Sequence, residues 1–139
     1  MGNIQSQSTS NPTSIAQKAA VGALRGGQSF IEHMKKELGV RRQAIVQGLN
    51  ALPGIDCPQP AGAFYAFPNI SQILGKSFDG TRLATSMDVA NFLLKEANVA
   101  CVPGEPFGSD SHLRFSYTGT LETIRDGLES MKQALARLS

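Results

Sequence analysis

Hydrophobic positions fall into two textures along the chain, and the change comes at Pro53-Gly54. Before that point apolar residues recur every three or four positions. Ile15, Ala19 and Ala23 trace one face of a helix rich in small residues, and Ile31, Met34, Leu38, Ile45, Leu49 and Leu52 trace a second, longer one. Asn11 reads as the N-cap of the first helix, with Pro12 at its first helical position. Gly26-Gly27 ends or bends it, and Gln28 or Ser29 opens the second. Gly39 and Gly48 weaken that second helix by about 1 kcal/mol each relative to alanine. Residues 1–11 carry no periodicity at all.

After Pro53-Gly54 the apolar runs become short and β-prone. Four strands are expected, at Ile55–Cys57, Ala63–Phe67, Val99–Val102 and Leu113–Tyr117, with Pro58, Pro60 and Pro68 bounding the first two. A turn of helix near Ile70–Leu74 and a polar loop through Gly80 separate the pairs. Thr85-Ser-Met-Asp88 has the form of a capping box with Asp in place of Glu. Behind it Met87, Ala90, Leu93, Leu94 and Ala97 predict a helix over 85–97. A last helix, 120–138, carries Leu121, Ile124, Leu128, Met131, Leu135 and Leu138. The fold class is α+β, a small sheet covered by helices over about 53–139 and preceded by long helices.

Composition narrows the function classes. The 139 residues suit one domain with a real core, and a formal charge of +2 from scattered lysines and arginines argues against nucleic-acid or anionic-membrane partners. No apolar stretch approaches the roughly 20 residues of a membrane span, and the polar start lacks the apolar segment of a signal peptide. Cys57 and Cys101 have no CxxC spacing and read as free buried thiols in a reducing compartment. No metal-ligand set emerges. The expectation is a cytoplasmic protein.

One residue asks for a ligand. Arg114 sits in the apolar run Leu113-Arg114-Phe115, delivered by the loop Val102-Pro-Gly-Glu-Pro-Phe-Gly108. A half-buried arginine is nearly always paired with an anion, and the planar guanidinium grips carboxylate or phosphate with two parallel hydrogen bonds. On local pattern alone, a plain solvated arginine on an edge strand fits as well.

Four motifs in order weigh on that choice. They are Ser8-Thr-Ser-Asn-Pro12 before a helix, Pro60-Ala-Gly-Ala-Phe-Tyr-Ala-Phe-Pro68 on a strand, the loop 102–108, and His112-Leu-Arg-Phe-Ser-Tyr117 on the next strand. Together they resemble the C-terminal part of a fold-type-I, pyridoxal-phosphate-dependent aminotransferase of the aspartate aminotransferase family. The resemblance implies a small, mostly antiparallel α+β domain over 53–139. It makes 12–52 the helices that bridge to a large domain, and 1–11 a linker from that missing domain. It places Arg114 on the family's arginine for the substrate α-carboxylate, and Phe64 and Gly62 in the lining of the substrate pocket. Ser10 and Asn11 match a segment that contributes to the cofactor site of the partner subunit, so a homodimer is implied.

The same resemblance puts the Schiff-base lysine, the phosphate cradle and the other pyridoxal phosphate contacts before residue 1. The chain then contains no catalytic residue of its own and is a fragment, inactive alone. Its parent would exchange an amino group between an amino acid, aspartate among the candidates, and a 2-oxo acid. Some dicarboxylate-specific members carry a partner-subunit arginine where this chain has Ser6, which leaves the substrate open. The residues by themselves also suit a free-standing, non-enzymatic module that binds an anion at Arg114 or a protein partner along its apolar helix stripes. Pro103, Gly104 and Gly108 are expected only to shape the loop, and His33 and His112 to be solvated or internally satisfied.

Overall fold

The computed structural model describes residues 2–139, which form two compact units, one up to Met34 and one spanning Lys35–Ser139. The first holds α1 (Gly2–Ser8), α2 (Ser14–Arg25) and the opening turns of α3 (Ser29–Asn50). No residue of α1 or α2 is buried. Helix α1 was not legible in the sequence, because Ile4 is its one large apolar residue and no apolar stripe marks it. The cap of α2 is Thr13 and not Asn11: the Thr13 hydroxyl accepts the Ala16 N–H at 3.3 Å, and the helix starts one residue later. Pro12 lies outside the helix and offers its carbonyl to the Gln17 side-chain amide at 2.8 Å. Gly26 ends α2, as the sequence predicts.

In the second unit α3 buries Ile45 and Leu49, while Leu38 and Val46 pack against the same core. Gly48 has a use that its propensity hides. A β-carbon there would collide with the Leu128 side chain of α5 (Leu121–Leu135), so the glycine lets the two helices close. Asn50 then turns the chain: its amide donates to the Cys57 carbonyl at 2.9 Å and its oxygen accepts the Cys57 N–H at 2.7 Å.

The sheet is antiparallel with strand order β1 (Tyr65–Ala66), β5 (Leu113–Ser116), β4 (Val102–Pro103). Its register pairs Tyr65 with Ser116 and Val102 with Arg114. Two of the four expected strands, Ala63–Phe67 and Leu113–Tyr117, are thus present in shortened form, and the one expected at Val99–Val102 is displaced to Val102–Pro103, sharing only Val102 with the expectation. The fourth, Ile55–Cys57, is reduced to a single bridge between Asp56 and Asn69, because Pro58 and Pro60 have no N–H to extend a ladder. A second sheet lies where a loop is expected. Ser77–Phe78 (β2) and Thr81–Arg82 (β3) form a hairpin through Asp79-Gly80, both with positive φ, the turn that an Asp-Gly pair favours.

Helix α4 (Ser86–Glu96) starts with the expected box: Thr85 accepts the Asp88 N–H at 3.2 Å, and Asp88 accepts the Thr85 N–H at 2.9 Å. Its buried face runs through Val89, Ala90, Phe92 and Leu93, so Met87 and Leu94, expected inside, are half-exposed. Helix α5 buries Ile124, Met131 and Leu135 along the expected stripe. Tyr117 closes the core, its hydroxyl donating to the Ala63 carbonyl at 3.0 Å.

Candidate anion-binding site at Arg114

The loop from β4 to β5 is held at both ends before it reaches Arg114. A 3-10 turn, Glu105–Phe107, ends on Gly108 in the left-handed region at φ 81°. Gly104 is buried, and a β-carbon on it would run into the carbonyl oxygens of Ser109 and His112. Ser86, fully buried at the start of α4, ties the loop down. Its hydroxyl donates to Asp110 at 2.6 Å, its N–H donates to the same oxygen at 2.9 Å, and the hydroxyl accepts the Glu105 N–H at 3.4 Å. The loop is a rigid support.

Strand alternation then decides which way Arg114 points. Leu113 and Phe115 are buried, so Arg114 and Ser116 take the other face. The Arg114 guanidinium carbon lies 4.4 Å from the centre of the Tyr65 ring and 4.4 Å from that of Phe107. Among the described residues no carboxylate pairs with it and no hydrogen bond uses its N–H groups. A half-buried cation with in-plane donors unused is equipped for an external anion. A cavity of about 180 Å³ opens beside it, lined by Tyr65, Ala100, Cys101, Val102, Arg114 and Ser116. Burial pushes the Cys101 thiol up to about 12, so it stays neutral and does not compete as an anion.

A family model described as aminotransferase class I and II matches residues 1–131. The chain belongs to that family. Similar members include the aspartate aminotransferase of Rhizobium meliloti strain 1021, 42% identical across 100% of this chain and 34% of its own. The aspartate/prephenate aminotransferase of Cereibacter sphaeroides is 43% identical, over 100% and 35%. Among solved structures, the Rhizobium meliloti aspartate aminotransferase superposes with a TM-score of 0.91 at 42% identity, covering 98% of this chain and 34% of that one. The aromatic aminotransferase of Pyrococcus horikoshii OT3 gives 0.82 at 33% identity, covering 96% and 34%. The chain spans about a third of the length of the relatives it matches.

Class I and II membership implies pyridoxal phosphate as a family property. The residues present do not fit its covalent anchor: all six lysines of the chain are exposed, and none lies near the cavity at Arg114. Of the residues expected at the site, Phe64 is next to Tyr65 with ring centres 4.5 Å apart, and its carbonyl accepts the Tyr117 N–H at 3.0 Å. Gly62 is exposed with open space where a side chain would stand, so packing within this chain does not require a glycine there. Ser10, at φ 59°, and Asn11 are exposed and belong to the unit ending at Met34.

Sequence reasoning missed Tyr65, Phe107, Ser86 and Asp110 as supports of the site. Tyr65 comes to the site only through its strand pairing, opposite Ser116. Asp110 carried none. His112 is internally satisfied, as expected: its Nδ1 lies 2.6 Å from the Ser109 hydroxyl and 3.0 Å from that of Ser111.

Proposed function

We propose that this chain is the C-terminal part of a pyridoxal-phosphate-dependent aminotransferase, in which Arg114 grips the α-carboxylate of the amino-acid substrate. The observation that carries the reading is the half-buried, ring-flanked guanidinium that no anion among the described residues pairs. Two parallel charge-assisted hydrogen bonds would fix the substrate in position and direction, and that is what group transfer at its α-carbon requires. Phe64, half-exposed beside Tyr65, would supply an apolar wall, and Gly62 would leave room for a ligand from the rest of the protein. Ser10 and Asn11 would reach the cofactor site of a second subunit in a homodimer.

Pyridoxal phosphate, held by the rest of the protein, would supply electron withdrawal from the substrate α-carbon, and this chain would supply binding and orientation. With no lysine in a suitable setting, the 139 residues alone are expected to transfer no amino group. The names of the relatives favour aspartate as amino donor and a 2-oxo acid as acceptor. The test is turnover of aspartate with 2-oxoglutarate by the protein expressed from the complete coding sequence, beside its Arg114→Lys variant. Activity in the first and its loss in the second supports the reading. Absence of any amino transfer, across aspartate, aromatic and alanine donors, overturns it.

A further inference from the structure

A two-point grip on a carboxylate needs the guanidinium plane held within roughly 10–20°. Arg114 makes no hydrogen bond to the described chain that would hold it so. Two rings do the holding. A ring attracts the face of the cation and leaves the donors, which lie in its plane, free for oxygen. Tyr65 is fixed by strand pairing. Phe107 is not: it is 49% exposed on a three-residue turn. What fixes Phe107 is a relay of contacts. Phe67 meets it edge-on, at 6.2 Å and 88°, and Phe67 in turn stacks on His112 at 4.8 Å and 15°. The contacts of His112 Nδ1 with the Ser109 and Ser111 hydroxyls, at 2.6 and 3.0 Å, anchor the far end.

We propose that Phe107 is a positioning residue for Arg114, kept in place by the Phe67–His112 stack. The inference rests on the carboxylate reading of Arg114 above and adds the groups that orient it. A leucine at 107 keeps apolar bulk but removes the π-face, whereas tyrosine keeps the face. Because Phe107 is half-exposed, neither change should unfold the domain.

The experiment reads Arg114 directly and through substrate. In the 139-residue chain, the Arg114 Nε–H signal, assigned by its loss in Arg114→Lys, is followed by nitrogen-15 NMR. Phe107→Leu should speed its solvent exchange and guanidinium rotation, Phe107→Tyr should leave both near wild type, and His112→Ala should fall between. In the protein from the complete coding sequence, Phe107→Leu should raise KM for aspartate roughly two- to fivefold, with a smaller change in kcat, and Phe107→Tyr should restore it. A Phe107→Leu protein with wild-type Arg114 dynamics and wild-type KM overturns the inference. So does one whose defect is a lowered melting temperature that tyrosine does not rescue. If ring-dependent ordering of Arg114 is seen but aspartate never perturbs its signal in the longer protein, the positioning role holds and the carboxylate reading falls.

Discussion

Lysine at position 114 keeps the charge and loses the fork, so it separates attraction from orientation. If Arg114 grips the α-carboxylate, Arg114→Lys should lower kcat/KM about ten- to a hundredfold, the worth of roughly 1.5–3 kcal/mol in charge-assisted hydrogen bonding. Both kcat and KM should worsen, and the melting temperature should hardly move, since no anion among the described residues depends on Arg114. Gly104 behaves in the opposite way. Gly104→Ala forces a methyl group against two backbone carbonyls and should cost roughly 1–3 kcal/mol of stability, measured by urea unfolding. At this scale Arg114 was legible, because a lone charge inside Leu113-Arg114-Phe115 has to be explained. Tyr65 and Phe107 were not. They meet the guanidinium only after strand pairing and a loop bring positions far apart in sequence together.

Helix caps and loop ties set the behaviour of the elements. In the box that opens α4, hydrogen bonds from the Thr85 side chain and backbone hold the Asp88 carboxyl below its ordinary value. A depressed folded pKa gives stability that is present above the unfolded value and is lost as pH falls through the folded one. Thr85→Ala should therefore flatten the acid limb of the stability–pH curve below about pH 4, read by thermal melts across the acid range. Ser86→Ala removes the hydroxyl shared by Asp110 and the Glu105 N–H, at a cost of roughly 1–3 kcal/mol, with a loosened loop before β5. Helices were the legible elements, since α3, α4 and α5 each carry a stripe several turns long. Strands of two to four residues carry too few positions for an alternation to stand out, and the proline-flanked run at Ile55–Cys57 misled for that reason. The Asp79-Gly80 hairpin was readable by its turn pair alone, and its exposed, polar β3 hid it.

At the scale of the molecule, the core of the second unit accounts for nearly every buried apolar side chain, yet large apolar groups remain outside it. Ile15, Leu24 and Phe30 are 82%, 85% and 71% exposed, and among the described residues α1 and α2 bury nothing. Exposed apolar surface of this kind favours association. The 139-residue chain should therefore form dimers or larger species at high concentration, by light scattering, and Leu24→Ser with Phe30→Ser should shift it toward monomer. A strict monomer with no response to the pair counts against the expectation. No helix among the described residues is long and apolar enough to cross a membrane.

The two thiols give the chain a built-in clock. Cys57 is pushed up to about 11 by burial and by the nearby Asp56 charge, and Cys101 up to about 12 by burial. Both lie well above an ordinary thiol, so little nucleophilic thiolate is present on either at neutral pH. Alkylation of the buried Cys57 then waits for the local structure to open, whereas the partly buried Cys101 lines the cavity beside Arg114 and is reached through it. Cys101 precedes β4 and reports on the sheet edge beside Arg114, while Cys57 reports on the turn that Asn50 holds. A ligand seated on Arg114 should slow the labelling of Cys101 and leave Cys57 unchanged, which would show occupancy without any catalytic turnover.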